Sequence, residues 1–272
     1  MASKGSGRGR VLRDQDGERR PGKSQASSRP EPKAPQTVEG LAKYLKSLAS
    51  GDNLKNYGGV FADMFWEFSS NEERFTEAVA LIIDTTVADR DYVHLGVLVC
   101  QLILEKKQGP KFRMALMKWF ENQFRSKADI RAVSIEKWLS VFAFMCEIHS
   151  CVLLSGQPIS VLGAAIFTSI EFLLKQPDRE DDEVDCICSS LKLCGKTLEV
   201  TNQDKMDALM DTLRGIVISK QSSCRVRCLV LEILELRAMG WSDSSQKTLE
   251  KFYVDGLMDA VAQDEIASGP QP

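Results

Sequence analysis

Histidine is almost missing from this chain: only His94 and His149 occur in 272 residues. Each lies on an apolar helical stretch and reads as a packed or surface residue rather than a proton shuttle. There is no phosphate-binding glycine loop, no dinucleotide fingerprint after a strand and no nucleophile elbow. Nothing marks a coupled acid–base pair. No catalytic residue, metal or cofactor is therefore assigned, and the chain is not read as an enzyme. A long hydrophobic run is also lacking. The longest, Val93–Leu104, is twelve residues, includes Gln101 and is bounded by Asp91 and Glu105-Lys106-Lys107, whereas a bilayer span needs about 20. The first residues show no apolar core of a secretory signal, so none is expected. Eight cysteines are present, yet no C-x-x-C. Cys224 and Cys228 share a helical face, while Cys186 and Cys188 point to different faces, and most of the eight fall inside apolar stripes where free Cys packs as a small hydrophobe. Reduced thiols and a soluble chain in cytoplasm or nucleus, with no membrane contact, are the expectation.

What the chain has is helical periodicity. Start signals near Asn53, Asp91, Ile130, Asp181 and Ser222 set successive helix pairs 38, 39, 51 and 41 residues apart. Two-helix units of about 40–47 residues are the signature of HEAT-type arrays, in which no unit buries its apolar face alone. The predicted fold is all-α: a HEAT-like α-solenoid of about five antiparallel helix pairs over 38–265, after a lead helix at 38–49. The pairs are placed at 54–68 and 71–87, 91–107 and 110–126, 130–154 and 159–175, 181–199 and 202–218, and 222–239 and 244–262. Ser70 with Glu73 predicts a capping box, Gly109 a helix C-terminus and Pro110 a first turn, and Ser244 an N-cap. Asp181, Asp182, Glu183 and Asp185 suit the positive end of a helix dipole. Val141–Cys146 is apolar all round, which places its helix between neighbours on both sides. Residues 1–37 hold nine Lys/Arg against four Asp/Glu with little apolar surface to offset the entropy of ordering, so a disordered basic arm is expected there, and a flexible tail at 266–272.

Charge is unevenly distributed along the array. Lys106, Lys107, Lys111, Arg113, Lys118, Arg125, Lys127 and Arg131 form a candidate patch for RNA or another anion. Asp204, Asp207 and Asp211 form a candidate acidic patch for docking a protein. Because the second helices of successive pairs tend to line one surface, that surface is expected to be electrically bipolar.

Three sequence features point to a family. Glu183-Val184-Asp185-Cys186 opens one helix, Leu193-x-Gly195-x-x-Leu198-Glu199 closes it, and the block from Leu231 to Trp241, including Glu235, Arg237 and Gly240, ends the array. Upstream stand HLGVLVCQLI (94–103) and RMALMKWFENQF (113–124). Together these resemble, over about 40–262, the middle domain of eukaryotic translation initiation factor 4 gamma and its small stand-alone relatives. The resemblance implies an adaptor without covalent chemistry, joining an mRNA-end-binding protein to translation initiation factors, among them the initiation-factor RNA helicase. The end-binding protein would recognise a stem-loop, a cap or poly(A). In architecture the chain resembles the member that works with the histone stem-loop-binding protein; the cap-binding-complex-dependent factor and the poly(A)-binding-protein-interacting protein are the rivals. No poly(A)-binding-protein docking motif is found in the first residues. No Tyr-x-x-x-x-Leu-apolar cap-factor motif occurs either, Tyr92 being followed five residues later by Val97. Direct RNA binding through the basic arm and the 106–131 region is the first alternative, and a scaffold in transport or trafficking the second. Pairing with a second copy stays open. The Glu235, Arg237 and Trp241 block is expected to be structural, with Trp241 folding back over the last helices and Arg237 meeting a carboxylate.

Overall fold

A computed structural model of the chain describes residues 37–48, 53–154, 156–220, 222–242 and 246–255. The expected arm up to residue 36, the Ser244 cap, the end of the last helix and the 266–272 tail lie outside these residues.

Local capping sets the helix starts. α1 (Val38–Ser47) begins where Thr37 Oγ1 accepts the Gly40 N–H at 3.1 Å. α2 (Asn53–Glu67) runs into a 3-10 turn, Phe68–Ser70, and α3 (Glu72–Val87) follows. Its N-cap is Asn71, not Ser70. Asn71 is the first residue with extended backbone, and its side-chain oxygen accepts the Arg74 N–H at 3.0 Å, while Ser70 is still in the turn and donates to the Glu67 carbonyl. α4 (Val93–Leu104) and α5 (Gly109–Arg125) form the next unit. Gly109 opens α5 rather than closing α4, which already ends at Leu104 with Glu105 as its C-cap; a Cβ at 109 would lie 2.0 Å from the Leu104 carbonyl oxygen.

The stretch expected as one helix from 130 to 154 is two: α6 (Lys127–Val133) and α7 (Ile135–Cys151). Ser134 breaks it by turning extended (φ −158°) and accepting the Lys137 N–H at 3.2 Å, an N-cap inside an apolar pattern. A small hairpin follows, β1 (Leu153–Leu154) against β2 (Gln157–Pro158), with Leu153 opposite Pro158. Then come α8 (Ser160–Leu174), α9 (Asp181–Thr201), α10 (Gln203–Ile218) and α11 (Cys224–Ala238), with a further helical stretch, α12, over 246–255. With the break at Ser134, the first helices of the five units start at residues 53, 93, 135, 181 and 224. That spacing is more even than the sequence pattern implied.

The chain is an all-α, HEAT-like array of antiparallel helix pairs. Its first helices, α2, α4, α7, α9 and α11, each pack on the next in one continuous layer, and α1 covers the end by packing on α2 and α3. α7 lies against α4, α8 and α9, which accounts for its all-round burial: Trp138, Leu139, Val141, Phe142, Phe144, Met145 and Cys146 are all in the core. The second helices behave differently. α3 touches α5, but cavities separate α5 from α8 and α8 from α10. No helix among the described residues is long and apolar enough to cross a membrane.

Candidate docking surface on the second helices

The exposed face of the second helices carries most of the charges singled out in the sequence, and the structure sorts them. Four of the eight basic residues are neutralised locally. Lys106 Nζ lies 2.6 Å from Asp63, Lys111 Nζ 2.7 Å from Glu72, and the Arg125 guanidinium 2.5 Å from Glu121 one turn back. Arg131 belongs to no surface patch. It is 8% exposed, donates from Nε and an Nη to the two oxygens of the fully buried Glu183 at 2.7 and 2.8 Å, and approaches Asp178 at 3.1 Å. Those hydrogen bonds raise its pKa above the ordinary arginine value against the opposing effect of burial. Glu183 therefore serves twice: one oxygen also accepts the Glu180 N–H, closing the reciprocal capping box of α9.

Lys107, Arg113, Lys118 and Lys127 make no ion pair among the described residues. Lys127 lies over the Phe124 ring at 4.2 Å and donates to the Phe124 carbonyl. Arg113 and Lys118 lie along a groove of about 820 Å³ between α5 and α8. Its floor is Phe120, Met145 and Leu162, and its lips are Met114, 70% exposed, and Val161, 73% exposed. The sequence reading missed this groove. Its signal is the pair of apolar residues off the core stripes: Met114 beside Phe112, Leu116 and Phe120, and Val161 beside Leu162, Ile166 and Ile170.

The acidic patch is likewise divided. Asp204, Asp207 and Asp211 are all exposed on α10. Asp211 pairs with Arg214 at 2.5 Å, and Asp207 with Arg237. Reversing Asp207 would set a cation against Arg237, so the three acids are not equivalent sites for a charge test.

The Arg237–Trp241 block closes the array. α11 ends in a Schellman turn: the Trp241 N–H donates to the Leu236 carbonyl and the Gly240 N–H to the Arg237 carbonyl, both at 2.9 Å. Gly240 (φ 68°) takes the left-handed position, and Trp241 (φ 58°) adopts it too, a conformation unfavourable for a bulky side chain. Its indole is held in place by α9. Nε1 donates to Glu199 at 2.5 Å, and the ring lies so close to Gly195 that a Cβ there would meet Cη2 and Cζ3 at 2.4 Å. Arg237 donates to the other oxygen of Glu199 at 2.6 and 2.9 Å. Gly195 and Glu199, one helical turn apart, thus receive Trp241 and Arg237. Glu235 lies elsewhere, near Tyr253 of α12, whose pKa is raised by burial and further by the Glu235 carboxylate.

His94 Nδ1 contacts Glu147 across α4 and α7, and His149 is fully buried, its pKa lowered by burial. Burial also pushes the Cys100 thiol up to about 12 and Cys186 up to about 11, so both stay protonated at neutral pH. No group of three or more His, Cys, Asp or Glu suited to a metal occurs among the described residues.

A stacked array of helix pairs, its second layer open in grooves, is the build of a helical-repeat interaction domain. The MIF4G domain model matches residues 60–239, and the chain belongs to that family. It is similar to MIF4G domain-containing protein A of Danio rerio, 33% identical over 164 residues covering 59% of this chain and 74% of the relative. It is also similar to the MIF4G domain-containing protein of Homo sapiens, 28% identical over 186 residues covering 66% and 82%. A third relative is the CBP80/20-dependent translation initiation factor of Xenopus tropicalis, 28% identical over 187 residues. That match covers 68% of this chain and about a third, 32%, of the relative.

Proposed function

We propose that this chain is an adaptor in mRNA translation. It tethers a protein bound at an mRNA end to the initiation machinery, without covalent chemistry of its own, in the cytoplasm or nucleus. The observation that carries the reading is similarity over the helical array to a relative named as a translation initiation factor. The split between a tightly packed first layer and an open, charged second layer supports it, since such a build presents surface for partners rather than enclosing a reaction. The partners proposed are initiation factors, including the initiation-factor RNA helicase, and an end-binding protein for a stem-loop, cap or poly(A). Affinity capture of the full chain with and without RNase tests this. Retention of initiation factors after RNase supports the adaptor. Recovery only of coat or transport-receptor components would replace it with the trafficking scaffold.

Direct RNA binding is the second reading, favoured by Lys107, Arg113, Lys118 and Lys127, which have no acidic partner among the described residues. Loss of RNase-sensitive association in a variant of those four, with a shallower dependence of affinity on salt, is its expected mark. Analytical ultracentrifugation addresses pairing with a second copy.

A further inference from the structure

We infer that the groove between α5 and α8 is a docking site for an acidic amphipathic helix of a protein partner; this rests on the adaptor reading and names the partner's chemistry. The walls come from different units and stand apart over a buried apolar floor, leaving about 820 Å³ open, a volume in the range of sites that bury a ligand. Met114 and Val161 stand in solvent at its lips while Met117 is half-buried behind them. Thioether-rich surfaces of this kind adapt to apolar side chains presented along a helix. On the α8 side the exposed Ala164 and Thr168 and the half-buried Ala165 are short, so an incoming helix can approach closely.

Charge selects the occupant. Arg113 and Lys118 flank the methionines without an acidic partner among the described residues, and the one carboxylate at the groove, Glu121, is paired to Arg125. The groove therefore presents apolar surface under net positive charge. An occupant with Leu, Met or Phe at i, i+3 or i+4 and i+7, bordered by Asp or Glu, satisfies both. The chain's own residues 1–37, with nine Lys/Arg against four Asp/Glu, carry the wrong sign.

The test is selection from a peptide display library on the purified full chain, then fluorescence anisotropy of the enriched peptides against Val161→Asp and Arg113→Glu/Lys118→Glu. These side chains are exposed or half-exposed, so circular dichroism and melting should match the parent. Enrichment of acidic amphipathic sequences is expected, with affinity lowered about tenfold or more by Val161→Asp and several-fold by the charge reversal. Enrichment of basic peptides, no enrichment, or peptides that bind both variants as well as the parent would overturn the inference. So would a dimer lost in Val161→Asp, which assigns the groove to a second copy, or RNA binding lost only in the charge reversal. Peptide binding by a chain that captures no initiation factor would leave the groove standing and remove the adaptor. Capture of initiation factors undiminished in both variants would do the reverse.

Discussion

The first helices and the second helices of this array have comparable lengths and comparable amphipathic patterns, yet they play opposite parts. First helices pack on one another in series, and polar contacts on them cross between units: Glu183 of α9 with Arg131 of the short α6, His94 of α4 with Glu147 of α7, and Lys192 of α9 with Glu232 of α11 at 2.7 Å. Glu183 and Glu232 are in the core. Most ion pairs on the second helices stay within one helix and in solvent, as in Arg125–Glu121, Lys175–Glu171 and Arg214–Asp211. A buried charge that loses its partner is costly, so the buried Arg131–Glu183 pair disfavours any other alignment of those units. Exposed pairs within a helix contribute little. The buried cross-unit contacts accordingly belong to the first layer, and the second layer is left exposed and charged.

The largest test of that division is Glu183→Ala. It strands the buried Arg131 guanidinium and opens the α9 capping box, and a loss of about 3–5 kcal/mol in urea unfolding is expected. Arg131→Met/Glu183→Leu should recover most of it. A loss below about 1 kcal/mol would erase the contrast with surface pairs.

Next comes the clasp at the end of the array. Trp241 is 8% exposed and packed on Gly195, so Trp241→Ala should cost about 3 kcal/mol. Gly195→Val should destabilise in the same sense by displacing the ring. Unchanged melting with lost partner binding would make Trp241 a contact residue instead.

A smaller effect is expected from His149. Burial lowers its pKa below 6.5 in the folded chain, so the unfolded chain binds the proton first. Its contribution is present above pH 6.5 and is lost as pH falls toward the folded value. Stability of the parent should decline more steeply below pH 6.5 than that of His149→Phe in denaturation series across pH. Parallel curves would remove His149 as the source.

The smallest changes belong to α10. Asp204→Lys should shift stability by no more than about 0.5 kcal/mol while weakening any partner steered to the acidic end. Asp207→Lys should cost more, because it opposes Arg237. Equal melting temperatures for the two would show that the Arg237–Asp207 contact carries no weight.

Much of the architecture was legible in the amino-acid order because helix period and most capping signals are local. The stripe Phe75, Val79, Ile82 and Thr86 is buried as its spacing requires, and the break at Pro110 starts a helix. Ser134 was overlooked because apolar residues on both sides hide a capping serine. Arg131 was misplaced among surface cations because its partner lies 52 residues away. The cysteines and histidines are mostly core or paired, since burial, not spacing, decides whether such groups stay neutral.

The sequence by itself determined the helical class, the pairing of helices and the closing block, since these follow from short-range periodicity, turn chemistry and the glycine that leaves room for Trp241. Only the tertiary structure decided which charges remain unpaired and where the second layer parts. Those depend on contacts between residues some 40–50 positions apart, as in Lys106–Asp63 and Arg131–Glu183, and a one-dimensional pattern carries no distance across that gap.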